Sequence, residues 1–299
     1  MKILAGSSHI QLATDLSHSL NAPMVNAEIR TFPNGEKYVR ILDQVVGEDV
    51  VLVQSFNQPV DEHLIEFILL ADALERGGAR EVHAVIPWLG YSLQDKLFLS
   101  GEALSAKVCA DLISNSYIKR VILLDLHNHS IPGFFSIPTQ VLSSLELLAQ
   151  QIEKTMDHSK LVVASPDFGG LKRAREFAKR LNAPLINIDK QRDLITGQVQ
   201  ATALHGDAHG KTVVVFDDCI VGGGTVAETA KVLKENGAES VTFVATHGLF
   251  VGDGQTIVQD SPVDSVLVTN SIKHDQLAAK ITQISVADLF ASSIKQWLK

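Results

Sequence analysis

Cysteine is scarce in this chain: Cys109 and Cys219 are the only two in 299 residues. That excludes a disulfide framework and a thiolate metal site, and it suits a reducing compartment. Long apolar runs are also missing. No stretch approaches the roughly 20 residues that cross a bilayer, and the opening MKILAG is too short in apolar residues for a secretory signal. The chain therefore reads as soluble and cytoplasmic, with no membrane partner. Positive charge is outweighed, 26 Lys and Arg against 34 Asp and Glu for a formal charge of -8. No basic run interleaved with aromatics is present, so nucleic acid is not an expected partner, although small anions remain possible where cations converge in one cleft. Gly and Pro punctuate the chain without dominating any stretch, and disorder is not expected.

What is present is a rhythm. Short β-branched runs, KILAG, DVVLVQS, EVHAVIP and RVILLDL, alternate with helical patterns such as DEHLIEFILLADALERGG. KLVVASP, APLINID, KTVVVFDD and SVTFVATHG repeat that rhythm in the second half, with the helix TVAETAKVLKENGA between the last two. Repeated βαβ units predict an α/β fold of two doubly wound domains with mainly parallel sheets, divided near Ser143. Gly77-Gly78 and Asn236-Gly237 stand where left-handed caps would end two helices. In open α/β sheets ligands bind beyond the carboxyl ends of strands, so polar residues there come first.

The strongest local signal is VVVFDDCIVGGGT, an apolar strand ending in Asp217 and Asp218, followed by Gly222, Gly223, Gly224 and Thr225 at the start of a helix. Glycines let backbone N–H groups turn toward a phosphate, Thr225 adds a hydroxyl donor, and the carboxylates suit sugar hydroxyls or Mg2+. The Lys of a Walker A loop is absent, and the glycines are consecutive where a dinucleotide fold spaces them. In SPDFGGLKRAR, Asp167 follows a strand and Gly169-Gly170 open a helix, which fits a diphosphate with its metal and equally an ordinary helix start. His127 and His129 follow the strand RVILLDL; either fits a metal ligand or a structural hydrogen-bonded histidine. Lys190 and Arg192 leave the strand APLINID into a polar segment that reads as a loop, where two cations could converge on one anion or lie solvated.

FPNGEKYVR, IPWLGYSLQDK, LLDLHNHSIPGFF, SPDFGG, DKQR and FDDCIVGGGT occur in the order and spacing of the ribose-phosphate diphosphokinases, also called phosphoribosyl diphosphate synthetases. The chain resembles that family over essentially its whole length. The resemblance implies phosphoribosyltransferase-like domains at 1–142 and 143–283, the first rejoined by a C-terminal helix over about 284–299. It implies transfer of the β,γ-diphosphate of Mg-ATP to O1 of ribose 5-phosphate, with AMP departing, in a homo-oligomer built as a dimer or an assembly of dimers.

By the same resemblance Phe32, Asn34, Gly35 and Glu36 lie on a hairpin that reaches the ATP of a neighbouring subunit, with Gln94 and Asp95 on the other side of the nucleotide. His127 and Asp167 become contacts of the Mg2+ on ATP, Gly169 and Gly170 part of the diphosphate loop, and Asp217 and Asp218 partners of the ribose hydroxyls. The segment from Val221 to Thr225 would hold the 5-phosphate, and Lys190 and Arg192 would be the catalytic cations of the flexible loop, Arg192 also facing ribose 5-phosphate.

Four departures stand out. Leu93 replaces an arginine near the nucleotide; Val221 and Gly222 replace an acidic or hydroxyl residue and a threonine; LFLSGEALSAK replaces a basic segment of the ADP- and phosphate-regulated enzymes; Asn34 replaces an aspartate. They leave two rival readings, a catalytically impaired regulatory homologue that binds ribose 5-phosphate or nucleotide, and a phosphoribosyltransferase. The latter group is shorter and lacks the duplicated half.

Overall fold

The computed structural model describes residues 1–192 and 199–297, with side chains described outside 189–203. The chain divides into two compact units, one of Met1–Ser143, Ser271–Lys273 and Ser285–Lys299, the other of Ser144–Asn270 and His274–Ile284.

The first unit runs β1 (Lys2–Ala5), α1 (Ile10–Leu20), β2 (Met24–Val25), β3 (Ala27–Thr31), β4 (Lys37–Ile41), β5 (Asp49–Val53), α2 (Val60–Arg76), β6 (Glu81–Ile86), α3 (Ser105–Ser114), β7 (Ile118–Leu124) and β8 (Thr139–Leu142). Its sheet has the order β2-β1-β5-β6-β7-β8, and every pairing is parallel. Strands buried on both faces explain why these segments read as continuous apolar runs without a polar side. Leu4, Leu52, Ala84 and Leu123 point into a core with Phe67, Leu70 and Leu74 of α2 and Ile113 of α3. Each large side chain fully buried there is worth about 1.5–3 kcal/mol. β3 and β4 form a separate antiparallel hairpin, tied to α2 by Lys37, whose Nζ lies 2.9 Å from Glu62 Oε2.

The second unit runs α4 (Leu145–Thr155), β9 (Leu161–Ser165), α5 (Leu171–Arg180), β10 (Leu185–Arg192), β11 (Val199–His205), β12 (Thr212–Ile220), α6 (Gly224–Glu235), β13 (Ser240–Gly248), α7 (Gly254–Asp260), β14 (Ser265–Thr269) and β15 (Ile281–Ile284). A last helix, α8 (Ala287–Trp297), belongs to the first unit, where Asp288 accepts a hydrogen bond from Ser19 Oγ at 2.8 Å. The second sheet is ordered β11-β10-β9-β12-β13-β14-β15, parallel except for β10 with β11. Alternation divides its residues between two cores: Val213 and Val215 pack on the side of α6, Val214 and Phe216 on the side of α5, where the rings of Phe216 and Phe177 stack at 4.0 Å. Gly237 closes α6 at φ +82°, and a Cβ there would meet His209 Nδ1 at 2.4 Å, so only glycine fits.

One sequence expectation needs correction. DKQR is not a loop leaving a strand; β10 continues through Arg192, with Lys190 opposite Ala201 and Arg192 opposite Val199 of β11 after a register shift at Asp189/Lys190. Its backbone groups are satisfied by β11, a partner further along the chain that a local reading of polar letters cannot see. The side chains of Lys190 and Arg192 lie outside the described residues.

Candidate active site

Each sheet has one point where the strand order reverses, between β1 and β5 in the first unit and between β9 and β12 in the second. A crevice opens there beyond the strand ends, because the connections on either side lead away in opposite directions.

In the first unit the chain fills that point itself. Glu66, fully buried on α2, accepts hydrogen bonds from Ser7 N at 2.7 Å, Ser7 Oγ at 2.8 Å and Gln54 Nε2 at 2.9 Å, with Lys37 Nζ 3.7 Å away. A side-chain carboxylate thus occupies the donors that a bound anion would take before α1. Sequence reasoning missed Glu66, although a charge inside the apolar run HLIEFILL was the available signal.

In the second unit the corresponding point collects acid. Asp167 Oδ1 accepts from Gly170 N at 2.8 Å, and its carbonyl accepts from Ser165 Oγ at 2.7 Å. A Cβ at Gly170 would lie 3.6 Å from both Asp167 Oδ1 and Asp217 Oδ1, so the loop before α5 and the end of β12, read as two clusters, are one. Asp217 Oδ1 accepts from Asp218 N at 2.9 Å, and Arg173 NH1 of α5 stands 2.7 Å from Asp218 Oδ2. Withdrawal from water, then the Asp218 and Asp167 carboxylates, hold the Asp217 carboxyl well above the usual carboxylate range. The Cys219 thiol is likewise pushed up by burial and by the two aspartates. Arg173, a cation within this cluster, was also missed; its signal was a basic residue one turn into a helix opened by Gly-Gly.

Beyond β12 the glycine loop is held against the turn after β13, with Val251 N donating to Val221 O at 2.8 Å. Gly223 is the N-cap of α6 at φ +78°, where a Cβ would meet Gly254 O at 2.7 Å. Gly224 and Thr225 are exposed in the first turn, where helix N–H groups lack intrahelical partners. Free helix N–H groups can donate to a phosphate, and carboxylates can accept from hydroxyls.

The first unit carries the remaining candidates. Phe32, Asn34, Gly35 and Glu36 form the exposed tip of the β3–β4 hairpin. Asn34 Oδ1 accepts from Glu36 N at 3.2 Å, so its amide supplies the acceptor that an aspartate would. Arg30 lies over the Tyr38 ring at 4.3 Å, and Phe32 meets Tyr38 edge-on at 5.7 Å. Gln94 accepts from Ser105 Oγ, Asp95 is buried with its Oδ2 unpaired among the described residues, and His127 and His129 are exposed beyond β7. His127 belongs to the first unit and Asp167 to the second. Among the described residues no group of three His, Cys, Asp or Glu side chains is placed to hold a metal ion, and no helix is long and apolar enough to cross a membrane.

Known proteins agree with this architecture. A family model for the N-terminal domain of ribose phosphate pyrophosphokinase matches residues 1–116, and one for a phosphoribosyl synthetase-associated domain matches 187–299. Ribose-phosphate pyrophosphokinases of Agrobacterium fabrum and Rhizobium meliloti are each 38% identical over 299 residues, covering 99% of this chain and 96% of the relative. The crystal structure of phosphoribosylpyrophosphate synthetase from Mycobacterium smegmatis superposes with a TM-score of 0.92 at 32% identity, covering 99% of this chain and 98% of that one. Two doubly wound units, an acidic strand end facing a glycine-rich helix start, and identity over the full length place this chain in the ribose-phosphate pyrophosphokinase family.

Proposed function

We propose that the chain transfers the β,γ-diphosphate of Mg-ATP to O1 of ribose 5-phosphate, giving 5-phosphoribosyl 1-diphosphate and AMP. The observation that carries this reading is the meeting of Asp167, Gly170 and Asp217 on β12, the strand whose end leads into the Gly223–Thr225 helix start. Asp217 and Asp218 accept from the ribose hydroxyls, the segment Val221 to Thr225 binds the 5-phosphate through its N–H groups, and Gly169 and Gly170 face the diphosphate. Phe32, Asn34, Gly35 and Glu36 with Gln94 and Asp95 hold the nucleotide. O1 attacks the β-phosphorus in line as the bond to the AMP oxygen breaks, and Lys190 and Arg192 neutralise charge on the transferring group.

The second unit's cluster suits Mg2+. Among the described residues three carboxylates face the Arg173 guanidinium there, an excess of negative charge that a divalent cation relieves. The ion fits best as one delivered on the nucleotide, with Asp167 and His127 as its protein contacts. Its contribution when bound is to neutralise and orient the phosphate oxygens.

The working form is a cytoplasmic homo-oligomer, a dimer or an assembly of dimers, in which the exposed hairpin tip reaches a neighbouring copy. The functional domains are 1–142 with about 284–299, and 143–283. Leu93, Val221 and Gly222 favour one rival, a catalytically impaired homologue that binds the same ligands. Incubation with Mg-ATP and labelled ribose 5-phosphate decides between them. AMP and phosphoribosyl diphosphate are expected; ADP, or no turnover with several triphosphates, would overturn the proposal.

A further inference from the structure

Asn187 is out of place in β10. Ile186 and Ile188 enter the core beneath α6, while Leu185 packs into the core beneath α5. Alternation therefore turns Asn187 to the α5 face, two residues beyond Leu185 toward the carboxyl end of the strand. Its neighbours in register are Ser165 of β9 and His205 of β11. Both touch the loop that precedes α5. Ser165 Oγ donates to the Asp167 carbonyl at 2.7 Å and lies 3.3 Å from where a Gly170 Cβ would be, and the His205 ring stands 6.5 Å from that of Phe168. The Asn187 amide thus lies under the loop 167–170, at the N-terminus of α5.

Asn187 is 7% exposed, and among the described residues neither its Oδ1 nor its Nδ2 has a hydrogen-bond partner. A primary amide offers two donors and an acceptor, and leaving them unmatched in the interior raises the free energy of the fold. An isoleucine, like those on either side, would pack the position without that penalty.

We propose that Asn187 is a positioning residue of the diphosphate loop. In the anion-bound arrangement its amide takes up backbone groups of that loop, which holds the Gly169 and Gly170 N–H groups toward the diphosphate. The unmatched amide raises the energy of the open arrangement and so biases the loop toward the bound one. This inference rests on the diphosphokinase reading above.

The test uses the full chain with Asn187→Leu, a substitution of similar volume. The melting temperature should stay level or rise by about 2–4 °C, because an unmatched amide is removed. kcat should fall about 10- to 100-fold while KM for both substrates stays within about twofold, the pattern of an interaction realised in the transition state. A kcat within twofold of the unaltered protein would overturn the proposal. Hydrogen exchange of the unaltered protein with inorganic diphosphate keeps the idea exposed if the variant folds poorly. Amides 168–171 should be protected at least tenfold by diphosphate, and no protection would also overturn it. Failure of the unaltered protein to make phosphoribosyl diphosphate would instead sink the activity itself, and the exchange result would still decide whether this loop closes on diphosphate.

Discussion

Around Asp217 three carboxylates share, among the described residues, the neighbourhood of the Arg173 guanidinium, and withdrawal from water together with the neighbouring carboxylates raises the proton affinity of Asp217. Arg173 NH1 engages one oxygen of Asp218, Oδ2, and so holds that carboxylate in place beside Asp217. Lys190 and Arg192 are assigned by resemblance, and their role separates cleanly in kinetics. Lys190→Ala and Arg192→Ala should each cut kcat by about 10²–10³ with little change in KM for ATP, because a group that meets the transferring diphosphate acts on the transition state. Steady-state kinetics check this; a raised KM at unchanged kcat would assign them to binding alone. Gly222 offers the opposite experiment. A Cβ there comes no nearer than 4.0 Å to Val251 Cγ2, so a side chain fits. Gly222→Thr adds a hydroxyl donor to the loop proposed to bind the 5-phosphate and should lower KM for ribose 5-phosphate about tenfold, the worth of one hydrogen bond to a charged group. A KM that stays put or rises would show that the N–H groups already saturate the phosphate.

Between elements, the second unit's α4 and α5 are clasped by Arg180. Its Nε lies 2.5 Å from Glu146 Oε2 and its NH1 2.7 Å from Glu153 Oε1. Hydrogen bonds from the Arg180 guanidinium lower the Glu146 carboxyl from its ordinary 4.5 to about 2. A folded-state value below the unfolded one means that the unfolded chain binds the proton more readily as pH falls. The contribution is therefore whole above pH 4.5 and is lost as pH drops toward about 2. Urea unfolding of Arg180→Met against the unaltered protein should show a stability gap at neutral pH that closes across this window. A gap constant from pH 7 to about 2 would assign the effect to packing of the arginine stem. β10 and β11 show the limit of reading elements from letters. DKQR is polar and has no apolar alternation, yet it extends a strand because β11 supplies its hydrogen bonds.

Across the whole molecule, the segment after Asp95 bears on regulation. Leu97, Phe98 and Leu99 are 60%, 78% and 71% exposed, and Glu102 caps the backbone N–H groups of Phe98 and Leu99 at 2.6 and 3.0 Å. A stretch that spends its N–H groups on its own carboxylate and displays leucine and phenylalanine offers little to an allosteric anion. Inorganic phosphate should leave the rate nearly unchanged, and ADP should inhibit only in competition with ATP. Initial rates at varied phosphate and ADP check this, and sigmoidal phosphate activation would contradict it.

The sequence by itself determined the class of fold and the family. Apolar runs buried on both faces mark parallel strands whatever surrounds them, and six motifs in order identify relatives without a single contact being known. It also marked Asp167, Gly170, Asp217, Gly223 and Thr225, because strand ends and glycine-opened helices are local features. Tertiary structure alone decided that the loop before α5 and the end of β12 form one cluster, since the closeness of Gly170 to Asp217 depends on β9 and β12 becoming neighbours. It alone placed Arg173 against Asp218 and sent the Glu66 carboxylate into the first unit's crevice. It alone carried β10 to Arg192 and left the Asn187 amide buried and unmatched among the described residues. In each case the reason is the same: charge pairing, burial and hydrogen-bond satisfaction are properties of residues far apart in the chain, and no local window contains both partners.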